Sequence, residues 1–226
     1  MPDVYAGSHL VVTTFFATVV KVVVFMLFCY VSIFVQATPI VFVFALSSLF
    51  VGTFATIRQV EVKRFLAYSS ITHVGFLLIG DFSSGYLYLL TYVCSSLLFF
   101  SVLLSCSLAG REIIYLGDLR FVKKTGVLIP ALLVVSLSSM AGLPPFSGFF
   151  GKYLVWGSLL EDIYLFNSVY SYFFLTSSVL LTLLTIFYYV RLVVYIYVSS
   201  DNEAVPVVFY AVCSWQQALL ALVITF

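Results

Sequence analysis

Three side chains in this sequence carry titratable groups among residues that offer them almost no water. Lys21 lies in Ala17-Thr18-Val19-Val20-Lys21-Val22-Val23-Val24, Lys152 in Phe149-Phe150-Gly151-Lys152-Tyr153-Leu154-Val155, and His73 in Ser69-Ser70-Ile71-Thr72-His73-Val74-Gly75. An ammonium group taken out of water has its charged form disfavoured, and a lysine so placed can accept and release protons at working pH. An imidazole, which titrates near neutrality when unperturbed, can pass protons along. Each residue also has a plainer reading. Either lysine could form a structural ion pair between helices, His73 could be a satisfied core histidine, and the hydroxyls around it could be helix-packing groups.

The elements that must position these residues follow from composition. Of 226 residues, 63% are hydrophobic and 8% charged, against about 25% charged in an ordinary soluble domain. So small a polar complement cannot cover a water-facing surface, and the solvent has to be lipid. A helical span needs roughly 20 mostly apolar residues, and seven such stretches fit, near 10–35, 39–58, 65–80, 85–109, 127–160, 168–198 and 205–226. Segments such as Val41 to Phe54 are apolar on every side, whereas barrel strands alternate apolar and polar residues. The fold class expected is therefore all-α, a polytopic membrane helix bundle.

Threading the chain through seven spans puts the N-terminus and loops 58–64, 111–126 and 199–204 on one side. That side collects Arg58, Lys63, Arg64, Arg111, Arg120, Lys123 and Lys124, with Arg191 nearby, while Asp81, Glu161 and Asp162 fall on the other. The positive-inside rule then turns the N-terminus toward the matrix or cytoplasm and the C-terminus to the opposite side. The stretch 127–160 is too long for one straight helix, since its run of roughly 50 Å exceeds a hydrocarbon core of about 30 Å. Gly142-Leu143-Pro144-Pro145 supplies a break, which in a membrane survives only where it is buried in protein or lines a wet cavity. Lys152 follows closely enough to reach it. Lys21, flanked by ten or more membrane residues on each side, about 15–20 Å of rise, is too deep to snorkel out and must face the bundle interior.

Other chemistries find little support. Cys29, Cys94, Cys106 and Cys213 sit in apolar runs without CxxC spacing, which argues against disulfides, zinc and iron–sulfur ligation. Haem would need histidines on facing helices, and only His9 and His73 exist. A net charge of +1 and the absence of a basic run argue against nucleic acid. The start lacks the basic region and cleavage site of a signal peptide, so the N-terminus reads as mature. Phe and Tyr number 24 and 16, an excess associated with AT-rich organellar genomes.

Several segments resemble the antiporter-like membrane subunits of respiratory complex I: Pro2-Asp3-Val4-Tyr5-Ala6-Gly7, Lys21, Val62-Lys63-Arg64-Phe65-Leu66-Ala67-Tyr68-Ser69-Ser70-Ile71-Thr72-His73-Val74-Gly75, and Ala141-Gly142-Leu143-Pro144-Pro145 with Gly148-Phe149-Phe150-Gly151-Lys152. Their order and spacing also agree. Within that family the chain is most similar to the subunit 2 branch of NADH dehydrogenase, because the fourth span has Tyr92 and lacks the His-rich helix of the two larger relatives. The resemblance implies an inverted-repeat fold: 1–38 as the last helix of a first repeat, 39–198 as a complete five-helix second repeat with a broken helix, and 199–226 as a C-terminal transmembrane helix. It implies a proton-translocating subunit of the mitochondrial inner membrane, with Lys21 and Lys152 as proton carriers and His73 as a connector. NADH, FMN, iron–sulfur clusters and ubiquinone are expected on other subunits and no redox centre on this chain. A separate chain, from a split gene, is expected to supply the front helices, alongside other complex I subunits and lipids. Ala6 stands where the family has a glutamate, and Ser8-His9-Leu10 departs from the usual continuation. A cation/proton antiporter outside respiration and a purely structural membrane subunit are the alternatives.

Overall fold

The computed structural model describes residues 1–34, 38–108, 112–166, 169–198 and 207–209. Among the described residues eight α-helices carry the architecture: α1 Pro2–Gly7, α2 Leu10–Phe34, α3 Thr38–Ile57, α4 Val62–Ile79, α5 Phe82–Ser105, α6 Leu128–Ala141, α7 Ser147–Phe166 and α8 Val169–Val198, with a 3-10 helix at Leu116–Thr125 before α6. α2, α3, α5 and α8 are long and apolar enough to cross a membrane on their own. Because a helix pairs its backbone amides along its own length beyond the first turn, they meet the requirement that lipid imposes. Large side chains such as Phe15, Val23 and Leu27 of α2, Phe44 and Phe50 of α3 and Leu180 and Phe187 of α8 face outward, as a lipid-facing surface demands.

α5 is the hub. It packs against α2, α4, α6 and α7, while α8 closes the far side against α3, α6 and α7. α3 and α4 run together at close range because two glycines remove side chains from the seam. A Cβ at Gly52 would come within 2.5 Å of the Thr72 Cγ2, and one at Gly75 within 2.6 Å of the Ser48 Oγ, which is how small residues let membrane helices approach.

Val62 N–H donates to the Ile114 carbonyl at 2.9 Å and Leu116 N–H to the Val60 carbonyl at 2.8 Å. Lys63 Nζ donates to the Ser8 carbonyl at 2.9 Å and Lys123 Nζ to the Tyr197 carbonyl at 3.4 Å. The starts of α2 and α4, the segment after α5 and the end of α8 therefore meet at one end of the bundle.

Three expectations are corrected. The stretch 127–160 breaks after Ala141 as expected, but its second helix, α7, continues to Phe166 instead of ending at 160, so Glu161 and Asp162 lie in its last turns rather than in a loop; only Gly157 opposes helix between Lys152 and Phe166. The sequence after α5 is extended, not helical to 109: Cys106–Leu108 (β1) pairs antiparallel with Val207–Phe209 (β2). Those last three residues are thus a strand within the expected span 205–226, whose other residues lie outside the described ones. α1, a short helix with Pro at its first turn, was not anticipated.

Candidate functional site

Lys21, midway along α2, is 5% exposed. Its ammonium donates to the Tyr92 hydroxyl of α5 at 2.5 Å and stands 4.3 Å from the ring centroid. Those two distances place it at the phenol oxygen rather than over the ring face, so the contact is a charge-assisted hydrogen bond.

Next along α5 and α4 comes His73, 4% exposed, with its ring centroid 4.7 Å from that of Tyr92. Its Nδ1 lies 2.7 Å from the Tyr88 hydroxyl and its Nε2 3.2 Å from the Tyr189 hydroxyl of α8. A neutral imidazole has one donor and one acceptor nitrogen. The Tyr189 hydroxyl is turned toward the Met140 Sδ, 3.8 Å away, so the network assigns Nε2–H as donor to Tyr189 and Nδ1 as acceptor from Tyr88.

Lys152, 3% exposed, sits at the helix break. α6 ends because Gly142 adopts a left-handed φ of 79°, which a residue with a Cβ resists. Gly142 N–H then bonds the Ser139 carbonyl at 3.0 Å and Leu143 N–H the Ser138 carbonyl at 3.1 Å, a Schellman closure. The Ala141 carbonyl is left over, and the Lys152 ammonium donates to it at 2.7 Å, with the Thr185 hydroxyl of α8 at 3.5 Å. The C-terminal end of a helix favours a cation. Gly142 and Gly148 make this geometry possible: a Cβ at Gly142 would meet the Lys152 Cδ at 2.8 Å, and one at Gly148 would overlap the Ser139 carbonyl oxygen.

A small cavity lined by His73, Tyr88, Thr91, Tyr92, Ser95, Ser139, Met140, Gly148 and Lys152 lies between imidazole and ammonium, about 10 Å³ of it open to the centre of a water molecule. That is roughly the space one water needs. The polar row Lys21, Tyr92, His73, Tyr88, Lys152 runs across the bundle between two apolar clusters. One contains Tyr5, Phe65, Leu98, Leu133 and Tyr188, the other Phe25, Leu49, Phe76, Val155 and Leu159. Ion pairs among the described residues lie at the bundle end: His9 with Glu112, Lys63 with Glu112 and Arg64 with Glu61. Neither buried lysine is among them.

Residues 1–185 match the protein family described as NADH:quinone oxidoreductase/Mrp antiporter, transmembrane. The chain belongs to that family. Among curated members, subunit N of NADH-quinone oxidoreductase from Paramagnetospirillum magneticum is 34% identical over 216 residues, 90% of this chain and 43% of that protein, and subunit N from Pelagibacter ubique is 33% identical, with 90% and 44% covered. The chain thus spans under half the length of these curated relatives. A chain of respiratory complex I from Thermus thermophilus superposes with a TM-score of 0.81 at 30% identity, covering 98% of this chain and 49% of that one. A chain of an archaeal membrane-bound sulfane sulfur reductase shares the fold, with a TM-score of 0.78 at 18% identity over 99% of this chain and 47% of that one.

In this antiporter-family chain the three side chains singled out in the sequence converge on one layer. Tyr88, Tyr92 and Tyr189, which link them, were not singled out as site residues. The available signal was the four-residue spacing of Tyr88 and Tyr92, which puts both on one face of α5.

Proposed function

We propose that this chain is part of a proton-translocating membrane-arm subunit of an NADH:quinone oxidoreductase, respiratory complex I, in which Lys21, His73 and Lys152 relay protons. The observation that carries the proposal is the polar row between two buried lysines, hydrogen-bonded from Lys21 to Tyr92 and from His73 to Tyr88, joined by the ring contact of Tyr92 with His73 and by a water-sized cavity before Lys152, with no carboxylate within ion-pair distance of either lysine among the described residues. A lysine locked to a carboxylate would stay charged; one held by a phenol or a backbone carbonyl can lose its proton and keep its place.

In this reading a proton on Lys21 passes through the Tyr92 hydroxyl toward His73. The Tyr88 hydroxyl protonates Nδ1 and is reprotonated from the water-sized cavity that Tyr92 also lines; the imidazolium then returns a proton through Tyr88 to the cavity, where neutral Lys152 takes it. A unit charge arriving about 4 Å away is worth roughly 4 kcal/mol at an effective dielectric near 20, enough to drive such a step. Electron transfer from NADH to quinone belongs to other subunits and supplies the charge that starts the sequence. The aromatic excess and the basic end point to the mitochondrial inner membrane, with the α1 end on the matrix side. Residues 1–38 and 39–198 then correspond to the last helix of one repeat and to the whole of a second. The exposed apolar face of α2 meets further helices of the same fold.

Replacing Lys152 by Ala in the assembled complex lowers the protons translocated per NADH oxidised, with the amount of complex on a native gel unchanged. Pumping that stays at the parental ratio sinks the proposal. The family also includes Mrp antiporters, so a transporter outside respiration is the competing reading. Comigration of the chain with NADH-oxidising activity favours the first; sodium-dependent transport without such activity favours the second.

A further inference from the structure

The row from Lys21 to Lys152 runs across the bundle, so a proton that is to cross the membrane needs a second route, through one of the apolar clusters that flank the row. One cluster is pierced by hydroxyls. Along α4, Ser69, Ser70 and Thr72 are each 1–2% exposed, and Tyr188 and Tyr189 of α8, 3% and 1% exposed, pack edge-on against Phe65, one helical turn before Ser69. The α4 hydroxyls donate to their own helix, to the carbonyls of Leu66, Ala67 and Ser69, which leaves their oxygen lone pairs as acceptors. At the outer end of the column stands Tyr5 of α1, 1% exposed. Its hydroxyl is fully enclosed and makes no hydrogen bond of normal geometry; α1 packs on α4, and the Tyr5 ring lies in the same cluster as Phe65, Leu66 and Ala67, the turn that leads into Ser70. The Tyr188 hydroxyl is likewise enclosed and unpaired.

Buried hydroxyls without partners are uncommon, because each one leaves its desolvation uncompensated by about 1–3 kcal/mol. Two of them in one column suggest intervening water. On the opposite side of α1, a cavity of about 530 Å³ opens to solvent, lined by Asp3, Ala6, Gly7, Glu61, Lys63, Arg64 and Glu112. The helix that forms its wall is the one that sends Tyr5 inward.

We infer that Tyr5 and Ser70 form the proton-uptake path from this charged cavity to His73, by way of Ser69 and Tyr189. A proton arriving at the Tyr5 oxygen displaces the phenol proton toward Ser70, and the same exchange repeats at each hydroxyl until, with the ring holding its proton on Nδ1, the Tyr189 hydroxyl donates to Nε2 as Nδ1 gives its proton to Tyr88. Tyr88 passes its own proton to the cavity and Lys152, the ring ends in the Nε2–H form seen here, and every oxygen regains a proton from behind. The inference rests on the relay reading above and adds the direction from which the relay is filled.

The test uses Tyr5→Phe, which keeps the ring and removes the hydroxyl, and Ser70→Ala, each in the assembled complex. Lys152→Ala serves as the relay reference and Tyr164→Phe, on the exposed end of α7, as the control. With uptake in series, Tyr5→Phe and Ser70→Ala each lose protons per NADH to the same extent as Lys152→Ala. The double variant loses no more than the worse single one, and deuterated solvent slows pumping more in Tyr5→Phe than in the parent. A merely structural Tyr5 tolerates Phe and leaves the isotope effect alone. Full pumping in Tyr5→Phe and Ser70→Ala, with Lys152→Ala impaired, overturns the uptake path and spares the relay. Full pumping in all three overturns both.

Discussion

Lys21 and Lys152 are buried to the same degree but held by different chemistry. Lys152 has a backbone carbonyl at a helix C-terminus, an acceptor that cannot itself carry a proton onward. Lys21 has a phenol, which can accept from the ammonium and donate beyond it. Tyr92→Phe therefore separates packing from transfer: the ring still fills its place, but the ammonium loses its acceptor, a hydrogen bond of the charged kind worth roughly 1.5–3 kcal/mol. We expect proton translocation per NADH to fall while assembly persists, and Tyr92→His, which restores a group that both accepts and donates, to recover part of it. Equal pumping in Tyr92→Phe and the parent would remove the phenol from the path. The two lysines were legible in the sequence because a charge inside an apolar run has few explanations. The tyrosines were not. With 16 in the chain, and a side chain equally at home in cores and at membrane interfaces, no single tyrosine stands out until the faces of α4, α5 and α8 are known.

The break between α6 and α7 shows how far local rules reach at the scale of elements. Glycine followed by two prolines dictates that a helix stops, and it does. What sequence could not supply is how the two pieces meet. That depends on Gly148, where a Cβ would overlap the backbone carbonyl of Ser139, an atom with no rotamer to move aside. Gly148→Ala should force α7 away from α6, costing roughly 1–3 kcal/mol as overpacking does, and carry Lys152 off the Ala141 carbonyl. Gly157→Ala, further along the same helix, meets nothing within 4 Å and should be neutral or gain helix propensity. The measurement is the thermal stability of the assembled complex for both variants; an unaffected Gly148→Ala would mean the crossing is looser than it looks. The pairing of β1 with β2 was illegible for the complementary reason, since it joins residues a hundred positions apart with no turn signal between them and no periodicity to betray a three-residue strand.

Across the whole molecule, two apolar clusters sandwich a polar layer, and the layer stays narrow only while the helices keep their depth relative to one another. At the basic end that depth is set by a clasp. Glu112 accepts from Lys63 Nζ at 2.8 Å and contacts His9 Nδ1 at 2.9 Å, and Lys63 also holds the Ser8 carbonyl, so one carboxylate ties the starts of α2 and α4 to the segment after α5. Partial burial pushes the Glu112 carboxyl up, but the Lys63 ammonium, through its hydrogen bond and its charge, and His9 outweigh this and hold it below its ordinary value. A depressed carboxyl contributes stability above its unfolded value of about 4.5 and loses it as pH falls through the lower folded one. The clasp is partly exposed and its energy correspondingly small, so the effect is local opening, not unfolding. Hydrogen exchange at residues 1–9 and 112–116, corrected for intrinsic rates, should show full protection at pH 7 and a progressive loss as the pH falls below about 4.5. Lys63→Met should show that loss already at pH 7, because removing the ammonium removes what keeps the carboxylate in place. If protection at these residues is the same at pH 7 and pH 3.5, the three helices are held in register by their apolar contacts alone, and the charged end serves only to face the aqueous side.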